Sequence, residues 1–350
     1  MNLISISAGG FAAGMRIFSL GVILTAQAIS RPAPPADTAA PPRTRIIVDS
    51  DANNELDDQH AIAYVLLNPE RFEVEGITVN RTAGGGDIER HAREAERVVR
   101  LCGRSPAVRV YRGASGSFDS IRPALGTSAF DGHGAVDFII GSAHRKGGAR
   151  LVILAIGKLT NVGLALCKDP SIVPRVRVVW LGTNYPASGE YNFENDTAVV
   201  NYVLGTAVDL EVAVVRYGDS TGTGAVQVSI DEIRARLGGK GPRVAPPVVG
   251  RYGGTFTCFG DYSIDLFAHV KEKTRSLFDL AAAAIVKNPR WARPRTIPAP
   301  RFESGRWIEQ GANPRRITLW ESYDRNAIIG DLEETMERAT HALPREGGAR

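Results

Sequence analysis

Arg45-Ile46-Ile47-Val48-Asp49-Ser50-Asp51-Ala52-Asn53-Asn54-Glu55-Leu56-Asp57-Asp58 runs from an apolar triplet into a loop crowded with carboxylates. Ile46 to Val48 read as a buried strand, and Ala61-Ile62-Ala63-Tyr64-Val65-Leu66-Leu67 continues with helical spacing. The acidic loop therefore falls at the C-terminal edge of a strand, where open α/β sheets bind ligands. Carboxylates packed this closely repel one another, and a hard divalent cation relieves the repulsion by taking several oxygens at once. Asp57 and Asp58 have a second explanation, because acids in the first turn of a helix offset its dipole. Asp49 and Asp51 lie upstream and alternate along the strand end, which capping does not require. The stretch reads as a metal site. A DxD after a strand also serves magnesium-dependent phosphoryl transfer, so the motif alone leaves the reaction open.

Working outward, Phe72 to Val79 and Val108 to Tyr111 are predicted strands, separated by a helix over Asp87 to Cys102 that Gly103 ends. Leu151 to Ala155 and Val176 to Leu181 are continuous apolar runs, which suit parallel strands covered on both faces. Leu210 to Val215 gives a further strand, and Asn195 to Leu204 and Leu277 to Lys287 read as helices. The alternation predicts the α/β class: a single doubly wound domain with a mostly parallel central sheet. Polar groups follow three of the strands, in Gly157-Lys158-Leu159-Thr160-Asn161, Gly182-Thr183-Asn184-Tyr185 and Glu190-Tyr191-Asn192-Phe193. Such a rim of amides, hydroxyls, carboxylates and aromatics suits a polyhydroxylated ligand bearing a flat ring.

The 350 residues, 43% of them hydrophobic, allow a large core. Basic and acidic residues, 42 and 38, are spread throughout and leave a formal charge of +4, which gives no argument for a nucleic-acid partner; the arginines read as general surface choice. Cys102, Cys167 and Cys258 are too few and scattered for a disulfide framework or a zinc site. Near the amino terminus, Arg16 precedes the apolar Ile17 to Leu24, and Ala26-Gln27-Ala28 offers small residues for a signal peptidase. The expected organisation is a signal peptide over 1–28, a Pro-rich linker over 29–44, the folded domain over 45–343 and a disordered tail over 344–350. Export to the periplasm or medium follows, with no stable membrane anchor, since the apolar stretch is short and lacks a stop-transfer flank.

These blocks resemble the inosine-uridine-preferring nucleoside hydrolase family. Its opening strand-DxDPGxDD is similar to Asp49-Ser50-Asp51 followed by Asp57-Asp58, here with two extra residues in the loop. Gly76-Ile77-Thr78-Val79 resembles the second strand, Gly157 to Asn161 the GPLTN turn, and Asn184 with Glu190-Tyr191-Asn192 the N-x-T-P-x-x-E-F-N segment. Phe278-Asp279-Leu280-Ala281-Ala282-Ala283-Ala284, with Asn288-Pro289 after it, resembles the late HDPLAVA…DP block. The resemblance covers roughly Ile46 to Trp291 in the family's order.

It implies calcium held by Asp51, Asp58, Asp279 and the backbone carbonyl of Thr160, with Asp51 also activating the water. Asp57 would hold the ribose 2′ hydroxyl, and Asn184, Glu190 and Asn192 the rest of the sugar. The expected activity is release of free base and ribose from a small-molecule nucleoside through an oxocarbenium-like state. A homo-oligomer is compatible with this. Two alternatives stay open: a non-catalytic calcium-dependent sugar- or nucleoside-binding protein, and a metal-dependent phosphohydrolase. Phe278 stands where the family commonly has His, so the usual acid for the leaving base is missing and purine nucleosides are expected to be cleaved better than uridine. The longer acidic loop brings Asn54 toward the site, and Tyr191, Phe278 and His133, in Phe130-Asp131-Gly132-His133-Gly134, are further pocket candidates; His60 reads as a packing residue.

Overall fold

In β1 (Thr44–Ser50) the apolar run serves two cores at once, with Ile46 and Val48 packing on one face of the sheet and Ile47 on the other. The computed structural model describes residues 43–146 and 149–341. Seven further strands complete the central sheet: β2 (Phe72–Val79), β3 (Val110–Arg112), β4 (Leu151–Ala155), β5 (Val176–Leu181), β6 (Asp209–Ala213), β7 (Arg293–Pro298) and β8 (Arg316–Glu321). Their spatial order is β3-β2-β1-β4-β5-β6-β8-β7, parallel throughout except for β7, which runs antiparallel to β8 at the edge. The order reverses between β1 and β4. In a doubly wound sheet that reversal opens a crevice beyond the strand ends.

One face is covered by α1 (Asp57–Leu66), α2 (Ile88–Leu101), α6 (Ile230–Leu237), α7 (Phe259–Ala268), α8 (Phe278–Lys287) and α9 (Arg325–His341). The other face is covered by α3 (His133–His144), α4 (Thr160–Lys168) and α5 (Thr197–Gly205). β4 divides its side chains in the same way, Val152 and Leu154 to the first core and Leu151, Ile153 and Ala155 to the second. This both-face burial is why the parallel strands read as unbroken apolar runs rather than as alternating ones.

The spans of β2, β4 and β5 coincide with those read from sequence, and α2 starts where Asp87 accepts the Arg90 amide. β6 ends earlier than expected, because the Val215 amide turns to the Thr183 carbonyl. α5 starts at Thr197 rather than Asn195, since Asp196 is committed to the Phe118 amide and the Thr160 hydroxyl. His133, expected in a loop, opens α3. The edge pair β7 and β8 has no strand signal of the parallel kind in the sequence, since β7 is mostly exposed and carries no apolar run. The signal peptide, all of the linker before Arg43 and the tail lie outside the described residues, and Thr44, assigned to the linker, is already the first residue of β1. No helix among the described residues is long and apolar enough to cross a membrane.

Candidate active site

Asp57 and Asp58 occupy the first turn of α1, and Asp279 the first turn of α8; the two helices pack against each other. Each acid thus gains from the positive end of its own helix dipole, which makes their convergence tolerable. The carboxylates of Asp57, Asp58 and Asp279 are buried and offer oxygens within 4.8 Å of one another. Ser50 Oγ donates to Asp58 Oδ1 at 2.5 Å, whereas Asp279 Oδ1 is buried without a hydrogen-bond partner. Burial and mutual repulsion hold Asp58 and Asp279 well above the usual carboxylate range, and burial pushes Asp57 up to about 7. An orphaned buried oxygen beside two more carboxylates fits a divalent cation with oxygen ligands.

Asp51 comes from the end of β1 and lies on the same wall. Burial pushes it up to about 7, while Thr82 Oγ1 donates to its Oδ2 at 2.5 Å. Although the resemblance places Asp51 rather than Asp57 among the ligands, the tightest trio is the one containing Asp57; the charge of Asp51 acts on all three. Beneath it, Asp49 accepts from Thr78 Oγ1, Asn80 Nδ2 and Asn161 Nδ2, so it braces the strand ends instead of facing the cavity. Gly157, after β4, lets the chain pass close by: a Cβ there would sit 3.1 Å from Asp51 Oδ1.

These acids line a cavity of about 310 Å³. Its lining also includes Glu190, Tyr191, Asn192, Tyr217 and Phe278, together with Asn54, Glu55 and Arg275. Glu190 caps a single helical turn, Tyr191–Glu194, by accepting the Asn192 and Phe193 amides, and it also accepts the Thr183 amide; burial still pushes it up to about 7. Thr183 adopts φ 61°, an uncommon conformation for a residue with a side chain, held by that contact. Tyr217 and Phe278 meet edge to face at 5.8 Å, and Arg275 forms an ion pair with Glu55. The Gly84 amide donates to Tyr191 Oη at 2.6 Å, fixing that ring against the loop after β2.

Three of the expected site residues lie outside the cavity lining. Thr160 opens α4 and its hydroxyl donates to Asp196; a carbonyl in that first turn points along the helix and away from the crevice, and Thr160 does not line the cavity. Ile156, immediately after β4, lines it instead. Asn184 sits on the rim outside the lining, where its amide donates to the Gly189 carbonyl and its oxygen accepts the Tyr217 amide. His133 is exposed, its ring turned to the Phe130 carbonyl, and it does not reach the cavity. Trp180, at the end of β5, is buried in the core and donates to the Gly157 carbonyl. His60 is a packing residue, bonded to Leu56 and Ser263 and edge-on to Phe259 and Phe267. Sequence reasoning missed Ile156, Tyr217 and Arg275. The last lies four residues before Asp279, a spacing that reads as nothing until the strand-turn geometry ahead of α8 is known.

Fold and site together define a carboxylate-lined pocket at the switch point of a doubly wound sheet. The inosine-uridine preferring nucleoside hydrolase family model matches residues 46–338, and the chain belongs to that family. It is 28% identical over 190 residues to an uncharacterized protein of Schizosaccharomyces pombe (47% of this chain, 59% of that protein). It is 27% identical over 199 residues to a probable uridine nucleosidase 2 of Oryza sativa subsp. japonica (49% and 56%). The chain thus spans less than two thirds of these relatives' length. Among solved structures, a purine-preferring ribonucleoside hydrolase from Gardnerella vaginalis superimposes with a TM-score of 0.64 at 21% identity, covering 85% of this chain and 99% of that one, a likeness of fold.

Proposed function

We propose that this protein hydrolyses the N-glycosidic bond of ribonucleosides to free base and ribose, with a calcium ion held by Asp51, Asp58 and Asp279. The observation that carries this reading is the set of buried carboxylates, one oxygen partnerless, lining a cavity of about 310 Å³ together with the aromatic rings of Tyr191, Tyr217 and Phe278. Ile156 is the backbone position suited to add an oxygen ligand in place of Thr160. When bound, the cation would supply positive charge that favours deprotonation of water and grips vicinal hydroxyls.

The protein's own groups do the remaining work. Asp51, its Oδ2 taken by Thr82, keeps its other oxygen to receive a proton from the attacking water. Asp57 accepts from the sugar 2′ hydroxyl, and Glu190 and Asn192 face the rest of the ring. As positive charge develops at the anomeric carbon, these acidic groups stabilise it more than they stabilise the ground state. Phe278 and Tyr217 enclose the base. Partial burial and the nearby charges of Glu190, Asp57 and Asp279 raise the Tyr217 hydroxyl above its ordinary value, so it stays protonated and can donate to a ring nitrogen, as can Arg275. The same reading has the protein exported, on the strength of Arg16 and the apolar Ile17 to Leu24.

Base release from inosine, adenosine and uridine, followed chromatographically with calcium and with chelator, tests the proposal. Calcium-dependent release of free base is expected. Stoichiometric nucleoside binding without any release would favour the binding-protein alternative.

A further inference from the structure

A second cavity, of about 500 Å³, lies on the outer side of the acidic loop and has the opposite charge. Arg90, Arg93 and Arg97 recur along one face of α2, and Arg251, from the ribbon Val248–Val249 and Thr255–Phe256, closes the other side. Asn53, Gly85, Gly86 and Tyr252 complete the lining. Read from sequence the arginines were general surface choice; the fold gathers four of them here.

Their partners are mostly absent. Arg97 pairs with Glu94 and donates to the Val249 carbonyl, while Arg251 spends donors on the carbonyls of Asn54 and Glu55. Among the described residues no carboxylate stands within ion-pair distance of Arg90, Arg93 or Arg251. The nearby acids are engaged elsewhere: Glu89 and Glu96 bind Arg112, and Asp87 caps α2. Burial lowers the pKa of Arg97, and the charges of Arg251, Arg100 and Arg93 lower it further, as expected of cations facing one another with too few anions. Among the described residues, Arg90 and Arg93 keep their guanidinium donors uncommitted on this concavity, and a phosphate can take two parallel N–H donors from such a planar fork, with the charges of Arg97 and Arg251 adding attraction.

We propose that this arginine cavity is a binding site for a phosphate group, either inorganic phosphate or the monoester of a small sugar phosphate. It is separate from the carboxylate pocket, and the Asn53 to Glu55 segment is the wall between them: Asn53 lines one cavity, Asn54 and Glu55 the other. Arg251 touches that wall directly through the carbonyls of Asn54 and Glu55.

The test is calorimetric titration of the intact protein with inorganic phosphate and, separately, ribose 5-phosphate, in buffer with about 0.15 M sodium chloride to screen diffuse attraction. Acetate serves as a singly charged control. Saturable one-to-one binding of at least one phosphate compound is expected, weakened about tenfold or more in the Arg90→Gln, Arg93→Gln double variant, since each lost charge-assisted contact is worth that much. Both substitutions are at exposed positions, and an unchanged melting temperature in chloride shows that the variant is folded. Equal affinities for the two ligands mean that the phosphate alone is recognised; tighter binding of the sugar phosphate assigns the site to the ester. No saturable binding of either, binding no tighter than acetate, or equal affinity in the folded double variant overturns the proposal.

Discussion

Replacing Asp279 by Asn should stabilise the protein in chelator and destabilise it, relative to wild type, in calcium. Asp57, Asp58 and Asp279 offer oxygens within 4.8 Å of one another. Two unit charges at that distance repel by roughly 3 kcal/mol at an effective dielectric of about 20. Proton uptake already relieves part of this, because burial and the neighbouring acids raise both Asp58 and Asp279. The remaining gain on neutralising Asp279 is about 1–2 kcal/mol, a rise of roughly 2–4 °C in melting temperature for a domain of this size. With calcium the balance reverses. A ligand at a hundredfold excess over its Kd stabilises the native state by about 2.7 kcal/mol, and a variant that has lost one of three side-chain ligands forfeits most of that. Differential scanning calorimetry of both proteins, in EDTA and in millimolar calcium, reads the two differences, and their signs should be opposite. A variant that melts below wild type by the same margin in both buffers would refute the reasoning, since the carboxylate would then be an ordinary structural contact.

Asp51→Asn should leave the fold intact and lower kcat by roughly 10²–10⁴-fold, the usual worth of a general base; near-normal kcat would assign water activation to another group. Comparison of kcat/KM should place inosine and adenosine above uridine, and Tyr217→Phe should reduce kcat on whichever base accepts its hydrogen bond, whereas a clear uridine preference defeats the leaving-group assignment. A Cβ at Gly84 would fall 2.2 Å from Asn54 Oδ1 and 2.9 Å from Tyr191 Oη. The Asn54 end can swing aside but the Tyr191 hydroxyl is held by the Gly84 amide, so Gly84→Ala should cost about 1–3 kcal/mol of stability while raising KM; an unchanged KM would show that neither side chain touches substrate. His60 is held at about 4 by burial, below its ordinary value of 6.5. Its contribution to stability is therefore complete above pH 6.5 and is lost as pH falls toward 4, on the order of 3 kcal/mol in all. Urea unfolding in chelator between pH 7 and 4.5 should show a shallower pH dependence in His60→Gln than in wild type, and parallel curves would contradict the burial argument.

The parallel strands were legible because burial on both faces leaves an uninterrupted apolar run, as in Leu151 to Ala155 and Val176 to Leu181. The acidic loop was legible because Asp49 and Asp51 precede the helix, where capping has no use for them. Thr160 misled for a related reason. A motif locates a turn to within a few residues, but which carbonyl faces the crevice depends on where the helix ladder begins, and α4 begins at Thr160 itself. His133 and Asn184 carry polar groups near the rim in sequence, yet their local backbone partners hold them elsewhere. Tyr217 was invisible because β6 breaks off at Ala213 and the chain then folds back over the cavity, a path set by tertiary hydrogen bonds rather than by local pattern.

The packing of α1 against α8 also bears on how this chain is made. Asp57 and Asp58 emerge from the ribosome early, Asp279 only near the end, and the wall they share exists only after α8 has docked. Until then the nascent protein carries an unpaired acidic loop and an apolar α1 face with nothing to cover it, a hazard that chaperones meet by shielding such surfaces. A chain terminated before Phe278 would therefore be expected to accumulate as a protease-sensitive species, and slowing translation upstream of that helix would lengthen the time the exposed face is open to aggregation.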